Sequence, residues 1–309
     1  MINGDFISGI KDRCLYFIQC LRQHREGVRL SVHRELVQDS LGFLELKLTP
    51  KDSFIGSKTP ARFLCDSLWA SIDYQRLADE LGSSGRLGFF DIGCGDGIYG
   101  TFFKELSGNA FGSYTGLDIY KSKIFPAEFE HIKDSAENCH KWMDERVNLV
   151  VSQSALEHIE YDRQVLRCVT ARLEQTRARF VQIHMIPAAR SLWLYRWHGW
   201  RQYSELNLES IVSELAKEFQ ISWNVVPIGG SASFIGHLCV TLSSFACRFG
   251  RLVGISLKDG FLSYGGLRKY LQKFVEKDLR TSSKNPLFYA LIISSPGVSV
   301  KFLFNKPEA

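Results

Sequence analysis

The residues best suited to chemistry form a glycine-rich segment at residues 87–97, with the sequence LGFFDIGCGDG. An apolar run leads into Asp91, glycines follow at positions 93, 95 and 97, and apolar residues at helical spacing come behind them. This pattern predicts a strand, a tight turn and a helix. Because glycine adopts positive φ and has no Cβ, such a turn can lie directly against a ligand. Ligands of open α/β sheets bind beyond the carboxyl ends of the strands, where this turn is expected.

The phrase DIGCGDG resembles the first motif of class I S-adenosylmethionine-dependent methyltransferases, in which an acidic residue is followed by GxGxG. Two alternatives stay open at this point. Gly95, Gly97 and Gly100 also spell GxGxxG, a pattern typical of a nicotinamide-dependent oxidoreductase. The other alternative is a glycine-rich turn that binds no ligand.

A carboxylate ends the next apolar segment, SYTGLD at residues 113–118. Asp118 comes about 20 residues after the turn, where an ionised carboxylate can accept hydrogen bonds from both hydroxyls of a ribose. The alternative role is to cap the N-terminus of a helix. Since a methyl donor and a dinucleotide both carry a ribose, Asp118 does not separate these two ligands.

Two later segments favour the methyl donor. FEHIKDS, at residues 129–135, predicts a short strand that ends at Asp134, and it resembles the methyltransferase motif in which an aspartate accepts from the adenine amino group. VNLVVSQSALEHI, at residues 147–159, resembles the motif in which LEHI or LEHV opens the helix after the fourth strand. The four segments follow the order and spacing of the family, and the resemblance extends over about residues 60–186.

The resemblance implies S-adenosyl-L-methionine as the cofactor and implies which residues bind it. Ser152 and Gln153 are expected to border the transferred methyl group. The expected cofactor-binding residues are Asp91, Gly93, Cys94, Gly95, Asp118, Ile119, Asp134, Ser135, Ser152 and Gln153.

The sequence departs from one branch of the family at a metal-binding position. In the branch that methylates quinone precursors, a carboxylate three residues before the Glu-His pair helps to hold a metal ion, and here that position is Ser154. We therefore predict no metal site and interpret Glu157 and His158 chiefly as helix-start and packing residues. A hydroxyl acceptor needs a base. The first candidate is His184, at the carboxyl end of the fifth strand, and His198 and His158 follow.

An aromatic segment, SLWLYRWHGWRQYS at residues 191–204, follows the fifth strand and contains three of the six tryptophans. Flat rings with polar edges beside arginines suit a sugar face, an aromatic acceptor or an anionic group. The alternative is an aromatic helix buried against the sheet.

The fold that the resemblance implies is α/β: a Rossmann-like, doubly wound sheet of seven strands, mostly parallel, with an antiparallel last strand. Apolar spacing predicts amphipathic helices at residues 6–21 and 30–41, and a helix that starts at Thr59-Pro60 and stops at Gly82. Strands six and seven are expected at residues 221–228 and 286–294. The two N-terminal helices are expected to pack over the edge of this domain, with a lid over the acceptor site as the alternative.

Three regions are predicted from this pattern. They are an N-terminal helical extension (residues 1–58), the methyltransferase domain (residues 59–230 and 285–309) and a helical insertion (residues 231–284). The insertion is apolar and then basic and amphipathic. Such a segment suits a cap over the acceptor pocket, contact with an anionic membrane surface, or a homodimer contact.

Composition excludes several classes of protein. Contents of 45% hydrophobic and 23% charged residues are those of a globular protein. The eight cysteines are scattered without a CxxC pair, which indicates reduced thiols in the cytosol. A net charge of +5 without a basic run does not favour nucleic acid. Neither a signal peptide nor a membrane span is apparent, so we expect a cytoplasmic protein, with peripheral contact at the inner face of a membrane as an alternative.

The sequence therefore predicts an S-adenosylmethionine-dependent methyltransferase that acts on a small-molecule, glycan or lipid-linked acceptor, with O-methylation favoured. An NAD-dependent oxidoreductase that uses the same glycine turn and a non-catalytic S-adenosylmethionine-binding module remain as alternatives.

Overall fold

The protein is described from a computed structural model. The described residues are 3–7, 9–23, 59–82, 85–176, 179–194, 198–239, 273–274, 277–278 and 285–302. The helix predicted at residues 30–41 and most of the predicted insertion lie outside them.

Six α-helices have described bounds: α1 (Ile10–Gln23), α2 (Pro60–Ala70), α3 (Tyr74–Leu81), α4 (Ile98–Ser107), α5 (Asp162–Gln175) and α6 (Glu205–Glu218). Residues 231–239 are also helical. Short 3-10 helices important for the site are Gly4–Phe6, Leu156–His158 and Ala189–Trp193.

Seven strands form one sheet: β1 (Leu87–Ile92), β2 (Phe111–Asp118), β3 (Glu130–Lys133), β4 (Leu149–Gln153), β5 (Val181–Pro187), β6 (Ser222–Ile228) and β7 (Phe288–Ser294). Their order across the sheet is β3-β2-β1-β4-β5-β7-β6. The strands from β3 across to β5 pair in parallel. β7 runs the other way, because Ser295 at its end donates to the carbonyl of Phe180 at the start of β5. The predicted Rossmann-like sheet with an antiparallel last strand is confirmed.

The sheet order creates the place for a site. β1 pairs with β2 on one side and with β4 on the other, so the chain leaves these strands at one edge of the sheet. In doubly wound sheets the crevice opens where neighbouring connections leave in opposite directions, which here is between β1 and β4.

An extended apolar core packs α5 and α6 against the sheet. β4 and β5 are buried at every residue, as expected for strands covered on both faces. Apolar residues at three- and four-residue spacing on the two helices meet them: Val165, Leu166, Val169, Leu173, Leu208, Ile211, Val212 and Leu215. Each such side chain contributes about 1.5–3 kcal/mol of burial free energy, which holds the strand ends rigidly in place.

A smaller core ties α1 to the segment after β5. Tyr16 and Cys20 on α1 pack with Leu192, and the Tyr16 hydroxyl donates to the carbonyl of His198 over 2.7 Å. The N-terminal helix thus braces the chain around His198.

The helix predicted from Thr59 to Gly82 is wrong in one respect, because the structure breaks it into α2 and α3. Thr59 caps α2 through its side chain, and Gly82 ends α3 with a left-handed φ of 69°, both as predicted. Between the helices, the side chain of Asp73 accepts from the backbone N–H of Arg76 and starts a new helix. Ile72 pairs with Phe302 in an isolated β-bridge. The backbone at Ile72 therefore pairs with a segment that is distant in the chain, whereas helical periodicity alone predicts one uninterrupted helix.

The chain divides into two compact units. The first comprises residues 1–32, 72–226 and 289–303, and the second comprises residues 33–71, 227–288 and 304–309. The candidate site described below lies within the first unit. In the second, the Asp278 carboxylate accepts from the backbone N–H groups of Gly230, Ala232 and Ser233 and caps the helix at residues 231–239. The domain boundaries drawn from the sequence stay predictions.

Among the described helices, none combines the length and the apolar content needed to cross a membrane.

Candidate active site

The glycine turn after β1 lies against the ends of β2 and β4. The N–H groups of Gly93 and Cys94 donate to the carbonyl of Leu117 over 2.8 and 3.1 Å. Gly93 has a φ of 74°, and a Cβ built on it would stand 2.5 Å from the Cβ of Ala155, just after β4. Only glycine therefore permits both the backbone conformation and the close approach at this position.

Asp118, at the end of β2, faces the glycine turn. One of its carboxylate oxygens accepts from the N–H of Gly95 over 2.9 Å, and the other accepts from the N–H of Tyr120 over 3.0 Å. A carboxylate offers about four lone-pair positions, so these two bonds fix its orientation and leave capacity for ligand hydroxyls.

Asp134, directly after β3, is held as an ionised acceptor. It accepts from the Asn138 side-chain amide over 3.0 Å, from the Trp142 indole over 2.7 Å and from the Ser135 N–H over 2.7 Å. The bonds from Asn138 and Trp142, followed by that from Ser135, hold the pKa of Asp134 below its usual range.

Asp91, the acidic residue before the turn, lies inside the protein. Its carboxyl is 2% exposed and accepts from the Tyr114 hydroxyl over 2.6 Å. Burial raises the pKa of Asp91 to about 7, the Tyr114 bond opposes that rise, and the charge of Asp118 adds to it.

A cavity of about 580 Å³ opens beside the glycine turn, a volume within the range of small-molecule sites. Five of the predicted cofactor-binding residues line it: Gly93, Asp118, Ile119, Asp134 and Ser135. The remaining wall includes Asn3, Asp5 and Phe6 of the N-terminal segment, residues 154–155 and 158–160 after β4, and Trp200.

Two histidines and one carboxylate meet at this wall, and we call Asp5, His158 and His198 the Asp5 cluster. Nδ1 of His158 lies 2.7 Å from one carboxylate oxygen of Asp5, and Nδ1 of His198 lies 3.4 Å from the other. The two imidazoles meet edge to face, with centroids 4.4 Å apart and an interplanar angle of 89°.

Backbone hydrogen bonds hold the three segments of the Asp5 cluster together. Gly4 donates to the carbonyl of Gly199 over 2.7 Å, and Gly199 donates to the Asp5 carboxylate over 3.1 Å. Trp200 donates to the carbonyl of Glu157 over 2.7 Å. A Cβ on Gly199 would stand 2.4 Å from that same carbonyl oxygen, so a glycine is needed for His198 to approach His158.

His184, the first candidate for a base, is fully buried in β5. Its Nδ1 lies 2.9 Å from the Ser152 hydroxyl, and its Nε2 lies 3.4 Å from the side-chain oxygen of Gln182. Burial lowers the pKa of His184 to about 3, so the imidazole is neutral at physiological pH.

The structure therefore brings together only some of the predicted site residues. Cys94 and Gly95 belong to the glycine turn that borders the cavity. The described residues that line the cavity do not include Asp91, Ser152, Gln153 or His184. Of the predicted histidines, His158 lines the cavity and His198 contacts the Asp5 carboxylate beside it.

The aromatic segment is only partly at the cavity. Trp200 lines it, whereas Trp193 packs edge-on against Phe17 at 5.2 Å. Arg201, expected to suit an anionic ligand, instead forms an ion pair with the buried carboxylate of Asp162. Over the described residues 191–194 and 198–204, the segment is not a regular α-helix.

Sequence reasoning missed Asp5. It lies 153 residues before His158 in the chain, and no local pattern marks an N-terminal aspartate as part of a site that begins after β1.

The chain was compared with known protein families and with solved structures. Residues 90–176, from β1 to the end of α5, match a family model described as a methyltransferase domain. No protein of established function matches the chain closely in sequence.

Several solved structures resemble the chain at low identity. The plantazolicin methyltransferase BamL, in complex with a triazolic desmethylPZN analog and S-adenosylhomocysteine (SAH), is 12% identical, with 92% of this chain and 97% of that chain covered and a TM-score of 0.48. A SAM-dependent methyltransferase from Archaeoglobus fulgidus is 15% identical, with 72% and 95% covered and a TM-score of 0.41. The CurJ carbon methyltransferase is 9% identical, with 68% and 48% covered and a TM-score of 0.35.

The family match covers the end of β1 with the glycine turn, β2 with Asp118, and β4 with the turn that carries His158. It sets aside the nicotinamide-dependent alternative, which rested on the glycine spacing alone. This match and the observed sheet order show a methyltransferase domain within a Rossmann-like fold.

Proposed function

We propose that the protein transfers the methyl group of S-adenosylmethionine to a hydroxyl oxygen of a small-molecule, glycan or lipid-linked acceptor. The observation that supports this proposal is a single cavity, within one compact unit, that is lined by both Asp118 and His158. Asp118 lies on the side of the cavity that is next to the glycine turn. His158 lies on the wall that also contains Asp5, to which it is hydrogen-bonded.

The donor would lie along the strand ends. Asp118 would accept from the ribose hydroxyls, and Asp134 with Ser135 would bind the adenine amino group, while Ile119 would contact an apolar face of the adenosyl group. Acidic side chains contribute much of the wall, which suits the positive sulfonium: Asp5, Asp118, Asp134, Glu137 and Glu160.

The reaction is a displacement at the methyl carbon. The bond from carbon to the donor sulfur breaks as a bond to the acceptor oxygen forms, the sulfur keeps the electron pair, and SAH leaves. Because the sulfonium is already activated, the protein contributes mainly by aligning the two reactants and excluding water. The acceptor hydroxyl must also lose its proton, which a polar wall assists.

Aromatic side chains at the cavity support an acceptor with a flat face. Phe6 is 85% exposed and Tyr120 is 74% exposed, and both line the cavity together with Trp200. Rings of this kind pack against sugars and aromatic acceptors while polar groups beside them bind hydroxyls.

The three predicted catalytic histidines divide by position. His158, at the cavity wall, is the proposed contact to the acceptor, and His198 is proposed to act through the Asp5 carboxylate. His184 is proposed as a positioning residue, because it holds Ser152 inside the sheet.

The proposal is tested by incubating the full-length protein with methyl-labelled donor and a panel of phenols, glycans, lipid-linked glycans and amines. Transfer is followed by mass spectrometry of the products. We expect transfer to a hydroxyl, and we expect His158→Ala to lower turnover more than it lowers SAH affinity. His140→Ala, which removes an imidazole elsewhere, is the matched control and should match the wild type. Transfer confined to amines, or full turnover by His158→Ala, would refute O-methylation at this wall.

The cellular location of the protein and the contacts of residues 231–284 stay predictions. The seven described cysteines are free of disulfides, in keeping with the proposed cytoplasmic location. Contact of residues 231–284 with a membrane surface, a second copy or the acceptor pocket involves mainly residues outside the described ones.

A further inference from the structure

The Asp5 cluster has a composition that the proposed function does not require. One carboxylate stands between two imidazoles that come from different parts of the chain, and the candidate ligand atoms of the three side chains lie within 4.8 Å of one another. Imidazole nitrogen and carboxylate oxygen are the usual ligands of divalent first-row transition ions.

We propose that Asp5, His158 and His198 form a binding site for one divalent transition ion of the zinc and iron(II) class. The sequence predicted no metal, because Ser154 stands where a carboxylate would be needed beside Glu157 and His158. In the structure the carboxylate instead comes from the N-terminal segment, and a second imidazole comes from the segment after β5.

The distances suit this assignment. An ion held by bonds of about 2.0–2.2 Å in a tetrahedral arrangement separates its ligand atoms by roughly 3.4 Å. His198 Nδ1 already lies 3.4 Å from an Asp5 oxygen, whereas His158 Nδ1 lies 2.7 Å from the other oxygen, a hydrogen-bond distance that must lengthen when an ion binds. The side chains of Asp5, His158 and His198 are 29%, 35% and 40% exposed, so small rotations of the rings can admit an ion.

Hydrogen bonds from neighbouring residues hold the proposed ligands in place, as the partners of metal ligands commonly do. Gly199 donates to the Asp5 carboxylate, and the Asn3 side chain accepts from the Asp5 N–H over 2.9 Å. The Tyr16 hydroxyl holds the carbonyl of His198. Each ligand is thus attached to a backbone that other parts of the fold hold in place.

The use of the ion rests on the proposed function, although its binding does not. Three protein ligands leave at least one coordination position open, and both Asp5 and His158 line the cavity. An acceptor hydroxyl bound there would exchange its bond to hydrogen for a bond to the ion, releasing the proton to water, because a bound divalent ion lowers the pKa of a coordinated oxygen. The oxygen would then attack the methyl carbon.

The test measures metal binding by the full-length protein without any acceptor. The protein is stripped with a chelator, the exposed thiols of Cys14 and Cys239 are alkylated, and Zn²⁺ or Co²⁺ is titrated by calorimetry and visible absorption. We expect a single saturable site in the wild type. We expect at least a tenfold loss of affinity in Asp5→Asn and in His198→Ala, and no change in His140→Ala.

SAH binding and the melting temperature, measured on the same samples, show that the variants are folded. A wild-type protein without a saturable site, or Asp5→Asn and His198→Ala proteins that bind metal as the wild type does, would overturn the proposal. The wild type could bind metal, and the variants lose it, while the wild type fails to methylate hydroxyls. That result would support the metal site and refute only the proposed function.

Discussion

His184 gives a prediction that separates a buried structural histidine from a catalytic base. Its pKa falls from 6.5 in the unfolded chain to about 3 in the folded protein, because burial penalises the charged ring. Between these two values the unfolded chain binds a proton that the folded protein excludes. The contribution of His184 to stability is therefore fully present above about pH 6.5 and is lost as the pH falls. Linkage gives a loss of about 2 kcal/mol between pH 7 and pH 5.

Asp91 acts in the opposite direction. Its pKa rises from 3.8 in the unfolded chain to about 7 in the folded protein, so the folded protein binds the proton first as the solution is acidified. The same linkage gives a gain of about 2 kcal/mol between pH 7 and pH 5. The two contributions nearly cancel in the wild type, and single substitutions should reveal each one.

Urea unfolding followed by circular dichroism, in ligand-free protein at pH 7 and pH 5, provides the assay. Relative to the wild type, His184→Gln should become about 2 kcal/mol more stable on going from pH 7 to pH 5, and Asp91→Asn should become less stable by a similar amount. If the stability difference between His184→Gln and the wild type is the same at both pH values, the imidazole titrates as it does in the unfolded chain. The structural role proposed for His184 would then be wrong, and its candidacy as the base would return.

Two further predictions concern the turn and the sheet. Gly93→Ala should destabilise the protein and abolish measurable SAH binding, since its φ is 74° and the added Cβ meets Ala155. Gly82→Ala is the matched control: its φ of 69° and ψ of 14° are also left-handed, but nothing lies within 4 Å of the added Cβ, so it should cost about 1 kcal/mol and leave SAH affinity unchanged. Equal effects on SAH titrations of the two variants would refute the close approach. Asn148→Ala should lower the free energy of unfolding by about 2–3 kcal/mol. The reason is that the buried Asn148 side chain accepts from the Gly88 N–H and donates to the Arg86 carbonyl. A loss below about 0.5 kcal/mol in urea unfolding would contradict that role.

The predicted site residues that the structure brings to one cavity are those with a local signature. A glycine turn after an apolar run and carboxylates at strand ends depend on neighbouring residues only, so Gly93, Asp118 and Asp134 could be placed from the pattern. The sheet order followed because the four motifs occur in the order of the family.

The parts that sequence missed depend on contacts between distant segments. The side chain of His184 is buried inside the sheet, where its ring hydrogen-bonds with Ser152 of β4. Asp5 reaches His158 only because the N-terminal segment is bound to the chain around Gly199. Neither fact has a periodicity or a spacing that could announce it.

The central claim is that the strand ends around Asp118 bind the adenosyl group of the donor. Isothermal titration of SAH into wild-type and Asp118→Ala proteins tests it most directly, with melting curves to show that both are folded. We expect a single SAH site in the wild type and a loss of about 1–3 kcal/mol of binding free energy in the variant, because a charged hydrogen-bond acceptor is removed. SAH affinity that is the same in both proteins, or a wild-type protein that binds NAD but not SAH, would contradict it.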